Sequence, residues 1–313
     1  KIGAGQELRR ITAKYVSKLD DFGDMQLFPD KTIYSCIITL CKECNKQLQY
    51  TNVISLTDLW TGEEQENIEI KNEMLDENPW RLTTDIKFMK MIAKVEEHGK
   101  PLGEIVNIFN GIQTSAERPK PVYWFSKDEI VSEKEDEIIV DKFEKRYHIE
   151  KSILKPFFKP TKADEKGMGT YSILKTDKHI IFPYNADGSL ISIDVMKKEY
   201  PGTYQYLEDC YELLVPKCLN GGKGRDIKNA TADTWYQYGR TQAITAFVNT
   251  PKLIVRILSK DPMYAYDENN MLIASGGTAG YCAISKLPDS KYDLRYIQAW
   301  LNHPYTEKLF QIM

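Results

Sequence analysis

From residue 105 onward, short runs of β-branched and aromatic residues recur, and polar turns cut each one off before it can lengthen. The runs are Ile105 to Phe109, His179 to Pro183, Leu190 to Ile193, Leu253 to Leu258, Met271 to Ala274 and Tyr281 to Ile284. Between them stand turn formers such as Asn185-Ala186-Asp187-Gly188 and Asp267-Glu268-Asn269-Asn270. Runs this short cannot build one long sheet, so the pattern predicts several small ones. Amphipathic stretches at Tyr204 to Leu214, Thr234 to Phe247 and Asp293 to Gln311 predict interleaved helices. The class is α+β with a loop-rich β core, and no internal repeat is present.

The first hundred residues read differently. Leu8, Ile11, Tyr15, Val16 and Leu19 are spaced for one helix face, predicting a helix over Leu8 to Leu19. A loop, Asp20 to Lys31, leads to a β-branched run, Ile33 to Leu40, and Tyr50 to Leu56 reads as its neighbouring strand. The acidic stretch from Thr61 to Asn78 marks a domain boundary. Asp85 to Glu97 then predicts a helix with Ile86, Met89, Ile92 and Ala93 inward, stopped by Gly99 and Pro101.

The 313 residues leave room for two domains. A net charge of −3 excludes a uniformly basic DNA-coating protein. The charge is uneven: 63–77 and 128–144 are acidic, whereas 217–260 carries Lys217, Lys223, Arg225, Lys228, Arg240, Lys252, Arg256 and Lys260. Such a segment suits either a local phosphate-facing surface or a solvated face of mixed charge. Six cysteines without framework spacing favour a reducing cytoplasm, and no apolar run reaches bilayer length. Cys41-x-x-Cys44 is half a zinc site, and His98, His148, His179 and His303 show no metal spacing, so no metal is expected. Gly3-Ala4-Gly5 lacks the third glycine and the preceding strand of a dinucleotide fingerprint.

Two stretches carry a family resemblance. The run Asp21-Phe22-Gly23-Asp24-Met25-Gln26-Leu27-Phe28-Pro29-Asp30, with Leu8-Arg9-Arg10 before it and Tyr34-Ser35-Cys36-Ile37-Ile38 after it, resembles the last catalytic-domain motifs of TaqI-type adenine-N6 DNA methyltransferases. These include the fused Type IIG restriction-modification enzymes. Gly111-Ile112-Gln113-Thr114, Leu154-Lys155-Pro156-Phe157-Phe158, His179 to Tyr184, Tyr200-Pro201, Trp235 to Gln242, Pro251 to Val255 and Ala299-Trp300-Leu301-Asn302 are similar, in order, to that family's target-recognition domain. The resemblance implies that residues 1–78 form the C-terminal edge of an α/β methyltransferase sheet. It implies a loop-rich mixed α/β target-recognition domain over 79–313. The glycine loop for S-adenosylmethionine and the Asn-Pro-Pro-aromatic loop are missing from this sequence; Asn78-Pro79-Trp80 is one residue short of the latter. The chain, which starts at Lys1, therefore reads as an excised piece that lacks methyl transfer alone, its partners being double-stranded DNA and an N-terminal catalytic half that binds S-adenosylmethionine.

The resemblance assigns Phe28 to stacking on a flipped-out adenine, because an aromatic face replaces the lost stacking partners; the alternative is a plug at the sheet edge. Lys223, Arg225 and Lys228, in and after Gly221-Gly222-Lys223-Gly224-Arg225, are candidate phosphate contacts, and Lys252 and Arg256 belong to the same basic segment. Arg240 and Gln242 suit bidentate reading of guanine and adenine, although Arg240 equally fits a clamp inside its own domain. Gln113, Thr114 and Arg118 form a second candidate group. Trp235, Tyr236 and Tyr238 sit at a spacing that favours core over a stacking platform. A protein- or carbohydrate-binding module with no DNA role would also fit the loop-rich core and the negative charge.

Overall fold

The computed structural model describes residues 2–23, 25–28, 33–61, 66–159, 176–241, 243–247, 250–257, 262–275 and 280–311. The chain divides into two compact units, one formed by Lys1–Lys100 with Pro304–Met313 and the other by Pro101–His303. Composition draws the boundary at Asn78, whereas compactness draws it at Lys100.

In the first unit a helix, Ile2–Thr12, runs through a 3-10 turn, Ala13–Tyr15, into strand β1, Val16–Asp21. The single helix predicted over Leu8 to Leu19 is thus the end of one helix, a 3-10 turn and most of a strand. Val16 and Leu19 are buried in the sheet while Leu8 and Ile11 face solvent, so their helical spacing is coincidental. Strand β2, Cys36–Leu40, pairs antiparallel to β1, and β3, Gln47–Asn52, pairs parallel to it. β4, Glu66–Lys71, completes the order β2-β1-β3-β4. It lies inside the acidic stretch read as a boundary. There Ile68 and Ile70 alternate with polar residues and fall opposite Tyr50 and Leu48, a period of two that outweighs the acidity.

Val16, Leu19, Leu48, Tyr50 and Leu75 form this unit's sheet core, with Trp80 and Leu82 packed against it. Buried Asn72 donates its amide to the carbonyls of Ala13 (2.9 Å) and Val16 (2.8 Å), fixing the turn where helix becomes strand. The helix Ile86–His98 forms as read. Asp85 caps it by accepting from the Phe88 N–H at 2.9 Å, and Gly99 follows its last residue. Its buried residues are Phe88 and Ile92, whereas Ile86 and Ala93 are exposed. The helix predicted over Asp293 to Gln311 is two, Leu294–Leu301 in the second unit and Pro304–Gln311 in the first. Pro304 has no N–H to continue a helix but suits the start of one.

Among the described residues, the second unit holds three small sheets. β5, Val106–Asn110, pairs with β15, Tyr281–Lys286; β15 pairs with β12, Lys252–Arg256; and β12 pairs with β13, Ala265–Asp267, all antiparallel. The second sheet runs β14-β10-β11-β6, from Leu272–Ile273, Leu154–Phe158, His179–Ile181 and Trp124–Phe125. The third is a meander of β7 (Ile130–Glu133), β8 (Glu137–Lys142) and β9 (Lys145–Glu150). Sequence reading missed this meander because its outer face makes the acidic run; Ile138 and Val140 alternate inward. The run at Leu190 to Ile193 forms no strand, as Ile193 opens the helix Ile193–Glu199. The helix Pro201–Asp209 follows, its N-terminus held on β9 by Glu150. That carboxylate accepts from the Gly202 N–H (2.8 Å), the Thr203 N–H (2.9 Å) and the Thr203 hydroxyl (2.5 Å).

Lys252 corrects an expectation. It is fully buried, with Nζ 2.7 Å from the equally buried Asp267 carboxylate, so it cannot reach a phosphate. Asp267 also accepts from the N–H groups of Asn269 (2.8 Å) and Met271 (2.9 Å), and so ties β13 to the turn after it. Removing one partner strands a buried charge. Asp267→Ala should therefore cost about 3–5 kcal/mol in chemical denaturation. The paired change Lys252→Met with Asp267→Leu should recover most of the loss, and a double variant no more stable than the single one would contradict this reading.

Candidate nucleic-acid interface

Two stretches chosen separately from the sequence lie side by side. After β5 the chain passes Gly111 and makes a parallel bridge between Ile112 and Ala274, with the Ile112 N–H on the Ile273 carbonyl at 2.8 Å. The next residue, Gln113, forms an antiparallel bridge with Arg240. The Arg240 N–H reaches the Gln113 carbonyl at 3.1 Å, and the Gly239 N–H reaches the Thr114 carbonyl at 3.2 Å. Only glycine fits at 239, since a Cβ there would stand 1.9 Å from the Ser115 hydroxyl. Arg240 is exposed and Gln113 half-buried, so both side chains have access to solvent.

The expected helix over Thr234 to Phe247 is absent from the described residues of that stretch, except for one turn, Ile244–Phe247. Residues 232–236 form turns, and Trp235, Tyr236 and Tyr238 are core. The Tyr238 N–H donates to the Tyr184 hydroxyl at 2.6 Å, and the Tyr123 hydroxyl donates to the Tyr236 carbonyl at 2.7 Å. Tertiary hydrogen bonds take the place of the helical ladder here.

Arg225 is a second correction. It is buried, and its guanidinium donates to four backbone carbonyls: Leu214 (2.5 Å), Thr114 (3.0 Å), Gln237 (2.9 Å) and Trp235 (2.6 Å). The Tyr123 ring lies 5.8 Å away. A group so engaged is no phosphate contact. The chain turns inward at Gly224, whose φ of +114° and whose approach to the Val215 carbonyl leave no room for a Cβ. Lys223, one residue earlier, stays exposed, as does Lys228.

Thr114 is the third correction. Its side chain is buried, and its hydroxyl donates to Glu117 at 2.8 Å rather than facing a groove. Glu117, which carried no signal in the sequence, also accepts from the Trp124 indole N–H at 3.2 Å and pairs with Lys159. Burial pushes its carboxyl up, but Lys159, Thr114 and Trp124 outweigh that and hold it below its ordinary value. Arg118, beside it, is exposed. Arg256 is exposed at the end of β12, opposite Tyr281, whose carbonyl accepts the Gly111 N–H at 3.2 Å. It thus lies at the sheet end from which the Gln113 segment departs. Gln242 lies outside the described residues.

In the first unit, Phe28 is 51% exposed on the loop after β1. Buried Phe22 anchors that loop, and the Gln26 side chain accepts the Ile33 N–H at 3.2 Å across it. Phe28 is not part of the buried sheet core. Cys41 and Cys44 are exposed free thiols, and among the described residues no group of three or more His, Cys, Asp or Glu side chains could hold a metal ion. No helix of the described residues is long and apolar enough to cross a membrane.

Glu117 gives a pH test of the loop it braces. Because its folded carboxyl is held below the ordinary value of 4.5, the unfolded chain binds more protons in acid. Its contribution is fully present above that value and is lost as pH falls through the folded pKa. Glu117→Gln should lower the melting temperature at neutral pH, with the gap from the unaltered chain closing in acid. A gap of constant size across that range would exclude the ion pair as the cause.

No protein-family model matches the chain. It is 33% identical over 319 aligned residues, 98% of its own length, to the Type II restriction enzyme and methyltransferase RM.Eco57I of Escherichia coli. It spans 31% of that protein's length. The resemblance read from the sequence agrees with this relative: the chain is similar, from end to end, to part of a restriction enzyme that is also a methyltransferase.

Proposed function

We propose that this chain is the sequence-reading part of an adenine-specific DNA methyltransferase fused to a restriction enzyme, acting on double-stranded DNA. The observation that carries the reading is the Gln113–Arg240 bridge, in a chain similar to a restriction enzyme and methyltransferase. It sets an amide and a guanidinium side by side on a rigid backbone, the two groups that pair bidentately with adenine and guanine edges. Arg118, Lys223, Lys228 and Arg256 would supply the phosphate contacts that give affinity and register without sequence information. Phe28 would stack on the extruded base. S-adenosylmethionine, and the loop that holds the adenine amino group, belong in this reading to the rest of the parent polypeptide. The exposed Ile37, Ile38 and Leu40 of β2 are the apolar surface that this remaining part would cover.

The test is duplex binding by the parent polypeptide across a salt series. Affinity should fall steeply with salt. Lys223→Ala should weaken all sequences alike and reduce the log–log salt slope by about 1. Arg240→Ala should cost about 1–3 kcal/mol and relax preference at one base pair. Phe28→Ala should slow adenine methylation while leaving duplex affinity within about twofold, as expected for a group that meets only the extruded base. A folded parent that binds no duplex, or binds it without salt dependence, would overturn the reading in favour of a protein- or carbohydrate-binding module.

A further inference from the structure

Arg225 has an arrangement that simple core packing does not explain. Guanidinium presents five N–H donors in one plane. Here four carbonyls meet the three nitrogens: Nε on Leu214, Nη1 on both Thr114 and Gln237, and Nη2 on Trp235. No carboxylate is paired with it among the described ion pairs, so backbone dipoles and the Tyr123 ring offset a buried positive charge. A methionine or leucine would fill the space without that desolvation cost. What a hydrophobic residue could not do is hold three separate chain segments at fixed separation.

Those three segments each carry a proposed DNA contact. Thr114 directly follows Gln113. Gln237 and Trp235 lie in the turn that delivers Arg240. Leu214 opens the strap that leads through Val215 to Lys223, and the strap is closed by the Arg225 N–H on the Val215 carbonyl at 3.0 Å and the Lys217 N–H on the Arg225 carbonyl at 2.9 Å. All four acceptors are main-chain oxygens, so the clamp is indifferent to the neighbouring side chains. Those can be exchanged without loosening it.

We infer that Arg225 is the positioning residue of the recognition surface: it touches no DNA, and it sets the spacing between the segments bearing Gln113, Arg240 and Lys223. This rests on the DNA-reading function proposed above. Loosening the clamp leaves each reading side chain and each phosphate contact in place but lets their separation vary. Total charge is unchanged in Arg225→Lys, so non-specific attraction to DNA should survive. Discrimination should be lost at several base pairs together, because every reader depends on the same spacing. A change in one base-reading side chain, by contrast, affects the position it reads.

The experiment uses the full parent polypeptide, with its recognised sequence established from methylated sites. Duplexes bearing that sequence, and each single base-pair substitution of it, are titrated against the unaltered protein, Arg225→Lys and Arg240→Ala. Arg225→Lys should melt cooperatively and bind random duplex within about twofold of the unaltered protein at each salt concentration. Its preference for the recognised sequence should fall by about tenfold or more at two or more positions, whereas Arg240→Ala loses it at one. A folded Arg225→Lys protein with discrimination intact, or reduced at one position alone, overturns the inference. If Arg225→Lys does not fold, Arg225→Gln carries the test, since its neutral amide keeps two N–H donors but cannot meet the four carbonyls that the guanidinium meets. Multi-position loss in that variant supports the inference, and unchanged discrimination overturns it. If the unaltered protein shows no sequence preference at all, the DNA-reading function fails, and that outcome is distinct from failure of the clamp.

Discussion

The buried guanidinium of Arg225 is the point on which the second unit's loops depend. Loop-rich folds face a difficulty that long helices and sheets do not: a backbone without a ladder must still satisfy its carbonyls, and each unpaired one costs about 1–3 kcal/mol. One arginine meets four of them here, at residues 114, 214, 235 and 237. Tyrosine hydroxyls extend the same solution. Tyr123 bonds the Tyr236 carbonyl at 2.7 Å, Tyr206 bonds the Val122 carbonyl at 2.5 Å, and Tyr184 accepts the Tyr238 N–H at 2.6 Å. Burial drives the Tyr123 phenol up to about 12, so it stays protonated as a donor at any physiological pH. The tyrosine rings also fill the core, with Tyr123 and Tyr238 packed edge to face at 5.1 Å.

This construction bears on the proposed function. A recognition surface needs side chains that can change between relatives and a backbone that does not move when they do. Here the backbone is held by side-chain to main-chain bonds, while Gln113, Arg118, Lys223, Lys228 and Arg240 have access to solvent. Rigid spacing with replaceable readers is what sequence discrimination by bidentate contacts demands.

The sequence revealed the local elements better than the long-range ones. Strands β5, β12 and β15, and the helix from Ile86 to His98 with its Asp85 cap, follow from period and punctuation alone. The meeting of Gln113 with Arg240 spans more than a hundred residues, and no local signal announces it. Lys223 and Arg225 show the limit most plainly. Two basic residues in one glycine loop have opposite fates because Gly224, at φ +114°, turns the chain inward between them. Lys252 was partly legible: a lysine within an apolar strand needs an anion, and the run Ala265-Tyr266-Asp267 supplies it on the neighbouring strand. Glu117 was not, since its partners Trp124 and Lys159 are assembled by the fold.

Amide hydrogen exchange on the parent polypeptide, with and without a duplex bearing its recognised sequence, tests the account most directly. Bound DNA should protect residues 111–118 and 235–241 together, because one clamp holds both, and the 220–224 loop with them. DNA bound with no added protection at either of the first two segments, or at one of them alone, would contradict it.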